Sequence, residues 1–117
     1  MSKSKRKGSE FERQVAEYMA LYLGNDGIER RALAGVNDRG DVAGVKFGSS
    51  RVVVECKAAK EFRIGEWLEE AETERRNDLA AFGVVVSKRR GVGESRTGEQ
   101  LVCMTLETFC KFLKGEQ

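Results

Sequence analysis

The 117-residue chain contains no histidine and no proline. Without an imidazole it cannot form a Ser-His or Cys-His catalytic triad, and it cannot bind zinc through histidine. Any hydrolytic chemistry must therefore come from carboxylates, lysine, tyrosine or a metal ion. Without proline, the turns must rely on glycine, asparagine and aspartate, and 13 glycines are available.

Cysteine and long apolar runs are also scarce. The three cysteines are Cys56, Cys103 and Cys110, and their odd number and lack of CxxC spacing argue against a disulfide framework or a thiolate zinc site. They are predicted to be small buried hydrophobes. No run approaches the ~20 apolar residues that span a bilayer, and no apolar segment follows the basic N-terminus, so no secretory signal is expected. These absences predict a soluble, cytoplasmic protein without a membrane partner.

The charged residues are nearly balanced in number but unevenly distributed. The net charge is only +2, which does not by itself indicate nucleic acid. Basic side chains nevertheless cluster, and an acidic stretch at residues 66–74 separates them. Segregated basic patches are typical of surfaces that bind phosphates, whereas the alternative is an ordinary solvated surface. The candidate DNA-binding residues are Lys5, Arg6, Lys7, Arg30, Arg31, Lys88, Arg89 and Arg90.

Hydrophobic periodicity and turn residues predict a basic, flexible arm at residues 1–8 and one domain at residues 9–117. Three helices are expected, from a Ser9 cap to Leu23, over residues 65–81, and after a Thr105 cap with Leu106, Phe109, Cys110 and Leu113 on one face. Five strands are expected, over residues 28–34, 41–47, 51–58, 83–87 and 101–104. This order predicts an α/β fold with a mixed β-sheet flanked by helices.

The segment with the most chemical information is Glu55-Cys56-Lys57, at the end of a valine-rich strand. Because side chains alternate along a strand, Glu55 and Lys57 should point to the same face. Asp41 starts the preceding strand, and a hairpin through residues 48–50 would bring it near them. Two carboxylates, the backbone carbonyl of Cys56 and waters would form an all-oxygen site suited to Mg²⁺ or Mn²⁺. The alternative is a simple Glu55–Lys57 ion pair on an exposed edge strand.

A divalent ion at this position predicts phosphodiester hydrolysis. It would polarise the phosphate and lower the pKa of an attacking water. Lys57 would hold or deprotonate that water, or stabilise charge on the phosphate oxygens.

The same residues resemble the PD-(D/E)XK nuclease superfamily. The resemblance rests on Gly40-Asp41-Val42, on Val54–Lys57 and on the preceding helix start, Lys7–Arg13. That KGxxxER start is similar to the one in archaeal-type Holliday-junction resolvases, and the compact size and the Ser87–Gly91 loop look like phage-encoded members. Gly40 stands where the superfamily's name has a proline.

The resemblance implies a restriction-endonuclease-like core of order αβββαβ, followed here by a C-terminal strand and helix. It implies that Asp41 and Glu55 bind the metal, that Lys57 is the catalytic lysine, and that Glu12 completes the acidic cluster. It further implies a Mg²⁺-dependent endonuclease that acts on branched DNA as a homodimer, inside a bacterial host if phage-encoded. Each subunit would nick one strand and leave a 5′-phosphate and a 3′-hydroxyl.

Several alternatives stay open. Ser9 and Glu12 also form the S-x-x-E pattern of a capping box, and Arg30 and Arg31 alternate faces, so at most one can point to the site. Trp67 is predicted to anchor packing or a dimer rather than to stack on a base, and Phe62 to lie at an interface. A flap, fork or nicking nuclease of the same fold, a non-catalytic nucleic-acid-binding module and a small structural protein remain rival functions.

Overall fold

The structure is a computed structural model that describes the backbone of residues 3–31 and 39–115, with side chains from Lys7 onward. In chain order the elements are α1 (Lys3–Leu23), β1 (Glu29–Arg30), β2 (Val42–Ala43), β3 (Lys46–Phe47), β4 (Ser50–Lys57), α2 (Ile64–Asp78), β5 (Phe82–Ser87), a 3-10 helix (Glu94–Glu99), β6 (Leu101–Cys103) and α3 (Leu106–Lys114). None of the helices in these ranges combines the length and hydrophobicity that a membrane span requires.

The strands form one mixed, open sheet in the order β1-β2-β4-β5-β6, and β3 pairs with β4 beside β2. Strands β4 and β5 are parallel, with Val54 opposite Val84, and the other pairs are antiparallel. A parallel pair needs a crossover connection, and α2 supplies it. The α/β fold with a mixed sheet flanked by helices is therefore confirmed.

The two faces of β4 pack against different helices. Val54 and Cys56 belong to the larger core cluster, together with Phe11 and Val15 of α1. Val85, the register partner of Glu55, packs instead with Trp67 and Ala71 of α2. Because side chains alternate along a strand, Glu55 and Lys57 project towards α2.

The first helix starts earlier than expected. It begins at Lys3, so residues 3–8 are helical and do not form a separate arm before the helix. Ser9 lies inside α1 and is not its cap, which makes the capping-box interpretation of Ser9 and Glu12 wrong. Its hydroxyl instead accepts a hydrogen bond from Arg30 Nη2 at 3.1 Å. Residues 1–2 lie outside the described part of the chain.

The strands on this side of the sheet are shorter than expected. The strand predicted over residues 28–34 is seen only as β1, and residues 32–38 lie outside the described part. The strand predicted over residues 41–47 is divided into β2 and β3 at Gly44. Gly44 has φ +85°, and a Cβ there would lie 2.3 Å from the carbonyl oxygen of Gly27. The close approach of these two segments bends the strand.

The C-terminal helix is capped as expected, because Thr105 Oγ1 accepts a hydrogen bond from Thr108 N at 3.1 Å. Its packing differs from the prediction. The expected apolar face, formed by Leu106, Phe109, Cys110 and Leu113, is exposed. Phe112 provides the core contact instead, with its ring stacked on Phe82 at a centroid distance of 4.2 Å.

The prediction that all three cysteines are buried is only partly correct. Cys56 is buried in β4, but Cys103 is half-buried and Cys110 is exposed. Cys103 lies in the edge strand β6, and Cys110 lies on the solvent-facing side of α3. Neither position is covered by other elements on all sides.

Gly40 brings the chain close against β4 immediately before Asp41. Its φ is +94°, and a Cβ at this position would lie 2.9 Å from Val53 Cγ1 and 3.1 Å from the carbonyl oxygen of Val54. Proline, whose φ is held near −65°, cannot adopt this conformation. The backbone path seen here thus requires a glycine at position 40.

We expect Gly40→Ala to lower the free energy of unfolding by about 1–3 kcal/mol, because it adds a Cβ to a crowded site with positive φ. Gly65→Ala is the matched control, since no heavy atom lies within 4 Å of the added Cβ. In a helix this change should stabilise by about 0.5–1 kcal/mol. Urea unfolding measures both, and equal stabilities for the two variants would contradict the strained backbone at Gly40.

Candidate metal centre

Asp41 is held against β4 by both its backbone and its side chain. Its amide donates to the carbonyl oxygen of Val54 at 2.9 Å, which continues the pairing of β2 with β4. Its Oδ2 accepts a hydrogen bond from the amide of Cys56 at 2.7 Å. Asp41 is buried, with 6% of its surface exposed. The hairpin from β2 to β4 thus brings the Asp41 carboxylate to the segment that carries Glu55 and Lys57.

Glu55 is a buried carboxylate with an unsatisfied oxygen. It is 5% exposed, and its Oε1 has no hydrogen-bond partner among the described residues. Its Oε2 lies 3.4 Å from Lys57 Nζ. A buried acceptor without a donor costs about 1–3 kcal/mol, and more when it is charged. A bound cation would satisfy this oxygen, so the donor set fits a metal.

Helix α2 adds two carboxylates that the sequence reasoning missed. Oxygens of Glu55, Glu70 and Glu74 all lie within 4.8 Å of one another, and Glu74 is 4% exposed. Glu70 Oε2 also accepts from Lys57 Nζ at 2.8 Å. Carboxylate oxygens in this number are the ligands that Mg²⁺ and Mn²⁺ prefer.

A signal for Glu74 was present in the sequence. The buried positions of α2 are Trp67, Ala71, Glu74 and Asp78, at helical spacings of three and four. A glutamate on the apolar stripe of a helix is buried, and a buried charge needs a partner or a metal ion. Glu70 lies one turn before Glu74 and therefore shares its side of the helix.

Burial and neighbouring carboxylates shift the protonation of this cluster. Burial, together with the neighbouring carboxylates of Asp41 and Glu74, raises the pKa of Glu55 to about 11. In the metal-free protein, one proton therefore stays within the cluster at neutral pH.

Lys57 keeps its charge in this arrangement. Burial acts to lower the pKa of Lys57, but the hydrogen bond to Glu70 and the charges of Glu55 and Glu70 outweigh it and raise that pKa. An ammonium group can donate hydrogen bonds and stabilise negative charge, but it cannot accept a proton. The geometry favours the charge-stabilising role for Lys57 over the role of a base.

The backbone of Cys56 faces Asp41. In an extended strand the carbonyl of a residue points to the same neighbouring strand as its amide, and the Cys56 amide binds Asp41. The carbonyl oxygen of Cys56 thus points towards Asp41, as its predicted role as a metal ligand requires. The thiol packs on the opposite, α1 side, where burial and the nearby charge of Asp41 raise its pKa.

Glu12 is placed differently from the other predicted site residues. Its Oε1 accepts a hydrogen bond from Arg30 Nε at 2.9 Å, and its charge contributes to raising the pKa of Cys56. Cys56 projects to the α1 face of β4, whereas Glu55 projects to the α2 face. The structure thus brings Asp41, Glu55 and Lys57 together and pairs Glu12 with Arg30, and a metal-binding role for Glu12 stays a prediction.

Arg30 and Arg31 contact different parts of the fold, as expected from strand alternation. Arg30 pairs with Glu12 of α1, whereas Arg31 Nη2 lies 4.0 Å from Asp78 of α2. Arg31 is therefore the one on the α2 side, with the carboxylate cluster.

A groove of about 950 Å³ crosses the carboxyl ends of β4 and β5. Its lining includes Ala58, the residue after Lys57, and Lys88 N donates to the carbonyl oxygen of Lys57 at 2.9 Å. The groove and the carboxylate cluster thus share the carboxyl-terminal part of β4, although no side chain of the cluster lines the groove. Its basic lining residues are Lys7, Lys60, Lys88, Arg89 and Arg90. Four of the predicted DNA-binding residues therefore share one surface, while the side chains of Lys5 and Arg6 lie outside the described part.

The raised pKa of Glu55 predicts a pH dependence of stability in the metal-free protein. An unfolded carboxyl loses its proton near pH 4.5, whereas folded Glu55 keeps its proton until about pH 11. The folded state binds more protons between these values, so the free energy of unfolding falls as pH rises through this window. Glu55→Gln removes the titrating group, and in EDTA at pH 9 it should exceed the wild type in stability by at least about 1 kcal/mol.

Denaturant unfolding at pH 5 and pH 9 measures this difference. Glu69→Gln, at an exposed position of α2, is the control and should follow the wild-type profile. Parallel profiles for Glu55→Gln and the wild type would contradict a proton held at Glu55.

Comparison with known proteins gives no match for this chain. No protein-family model matches it, and no curated protein or solved structure matches it significantly.

Proposed function

We propose that this chain is a Mg²⁺-dependent endonuclease with a restriction-endonuclease-like core, which hydrolyses phosphodiester bonds in branched DNA and takes four-way junctions as its main substrate. One observation carries the proposal: the buried carboxylates of Asp41 and Glu55 interact, Glu55 Oε2 lies 3.4 Å from Lys57 Nζ, and Glu55 Oε1 has no hydrogen-bond donor among the described residues. A simple ion pair on an edge strand does not account for this, because β4 lies inside the sheet and pairs on both sides.

The mechanism assigns each side chain a separate task. Asp41, Glu55 and the Cys56 carbonyl would hold the divalent ion, and Glu74 would add a carboxylate from α2. When bound, the ion lowers the pKa of an attacking water and polarises a phosphate oxygen. The Lys57 ammonium, held at 2.8 Å by Glu70, donates a hydrogen bond to the phosphate oxygen on which charge develops.

The surroundings of the cluster support DNA as the substrate. The basic groove lies at the carboxyl ends of β4 and β5, starts one residue after Lys57, and carries cations on the segments that follow these strands. Lysine and arginine contacts to phosphates give affinity without sequence preference. Lys88, Arg89 and Arg90 would hold the backbone while the scissile phosphate lies at Asp41 and Glu55.

The proposal includes a homodimer. One carboxylate cluster cuts one strand, so resolving a four-way junction requires two copies of the chain acting together. Preference for junctions over flaps or forks follows from the resemblance to the resolvases, and a flap or fork nuclease of the same fold is the second candidate.

We expect Asp41→Asn and Lys57→Ala each to reduce cleavage by at least about 100-fold while leaving DNA binding largely intact. Asparagine keeps an oxygen that can accept from the Cys56 amide, so the first variant tests charge rather than folding. The assay uses labelled four-way junction, flap, fork and linear duplex with Mg²⁺, Mn²⁺ or EDTA. Glu69→Gln should cut like the wild type.

The outcomes of this assay separate the candidate functions. Wild-type cleavage by either variant would refute the assigned site. Far better cutting of flaps or forks than of junctions would replace the resolvase by the second candidate. Binding without cutting under any metal would leave a non-catalytic DNA-binding module.

A metal titration tests the contribution of α2. We expect Mg²⁺ to raise the melting temperature of the wild type, because a ligand that binds only the folded state stabilises it. Glu74→Gln should need about tenfold more Mg²⁺ for the same rise, and Glu55→Gln should show almost no rise. A Glu74→Gln response identical to that of the Glu69→Gln control would remove Glu74 from the site.

A further inference from the structure

The basic groove contains an exposed aromatic ring that the cleavage chemistry does not use. Phe62, in the segment between β4 and α2, lines the groove and is 58% exposed. Leaving a phenyl ring in water forgoes roughly 1.5–3 kcal/mol of burial free energy. The other phenylalanine of the groove, Phe11, is buried in the core. Phe62 therefore offers the one exposed aromatic face among the groove's described lining residues.

The ring of Phe62 packs against the ring of Trp67. It meets Trp67 edge-on, at a centroid distance of 5.4 Å and an interplanar angle of 77°. Trp67 itself is 5% exposed and packs with Ala71 and Val85. Edge-to-face contacts of this kind are favourable, and more than half of the surface of Phe62 stays accessible. Trp67 therefore has a packing role, as expected, whereas Phe62 exposes its ring to the groove.

The charge around Phe62 favours a polyanion. None of the five basic lining residues forms a salt bridge with a carboxylate among the described residues. The acidic lining residue Glu10 is paired with Arg13. The groove thus combines cations available to phosphates with one accessible aromatic face, the two elements found in sites for single-stranded nucleic acid.

We propose that this groove binds an unpaired DNA strand, with Phe62 as the surface on which a base stacks. In a duplex the faces of the bases are covered by their neighbours, so only an unpaired nucleotide can use this ring. Stacking tolerates any base, so the groove binds with little sequence preference. The inference rests on the proposed function and adds that the branched DNA presents unpaired nucleotides to this groove during binding.

The binding test uses a labelled dT12 oligonucleotide and a 12-base-pair duplex, with Asp41→Asn as the background and EDTA present, so that no cleavage is involved. We expect Phe62→Ala and Phe62→Leu to weaken dT12 binding about 5- to 100-fold, the range of base–aromatic stacking. Duplex binding should change by less than about twofold. Phe62→Trp should keep dT12 binding close to that of the background protein, because tryptophan keeps an aromatic ring at this position.

Two controls separate stacking from packing. Phe109→Ala removes an exposed ring elsewhere on the surface and should leave dT12 binding unchanged. Unaltered dT12 affinity of Phe62→Ala, or equal weakening by Phe62→Leu and Phe62→Trp, would overturn the inference. So would an equal loss of duplex and dT12 binding.

A second measurement needs no substitution. Trp67 is the chain's single tryptophan and contacts Phe62, so its fluorescence reports on this position. We expect a saturable emission change with dT12 and little change with duplex, and no response to saturating dT12 would overturn the inference. If cleavage requires Asp41 but does not change on substitution of Phe62, only the proposed strand binding in the groove is refuted. If dT12 binds as expected but no metal-dependent cleavage occurs, only the proposed nuclease function is refuted.

Discussion

The hydrogen bond from the Cys56 amide to Asp41 Oδ2, at 2.7 Å, is the contact on which the candidate site depends. It joins a side chain at the start of β2 to the backbone of β4, so the two strands cannot shift in register without losing it. A hydrogen bond to an ionised group is stronger than one between neutral groups. Through this contact the Asp41 carboxylate stays beside Glu55, where burial and then the Asp41 carboxylate raise the pKa of Glu55.

The two acidic residues buried on α2, Asp78 and Glu74, differ in how the free-energy cost of burying a carboxylate is offset. Asp78 is ion-paired with Arg51 at 3.3 Å and lies 4.0 Å from Arg31. Glu74, one turn earlier, lies against the Glu55 carboxylate instead. Burying charge costs several kcal/mol unless an opposite charge offsets it. At Asp78 two arginines supply the offset, whereas at Glu55 the Lys57 ammonium is joined by further carboxylates, and burial together with those carboxylates raises the pKa of Glu55.

Much of the fold could be predicted because its signals are local. The valine runs of β4 and β5, the helical stripe of α2 and the Thr105 cap each depend on a few consecutive residues. The errors arose where distant contacts decided the outcome. Gly44 bends the strand because it meets Gly27, and the apolar face of α3 is exposed because Phe112, rather than Phe109, reaches the core. Neither contact has a signature within its own segment.

The sequence by itself determined the alternation that puts Glu55 and Lys57 on one face of β4. It also determined, through the absence of histidine, that any hydrolytic chemistry would have to use carboxylates, lysine, tyrosine or a metal ion. These follow from covalent order and strand geometry, so no tertiary information was needed. Only the tertiary structure decided that Glu74 and Glu70 join the cluster, that Glu12 pairs with Arg30, and that Phe62 lies in the basic groove. These placements depend on how α1 and α2 pack across the sheet, and packing is set by many distant contacts at once.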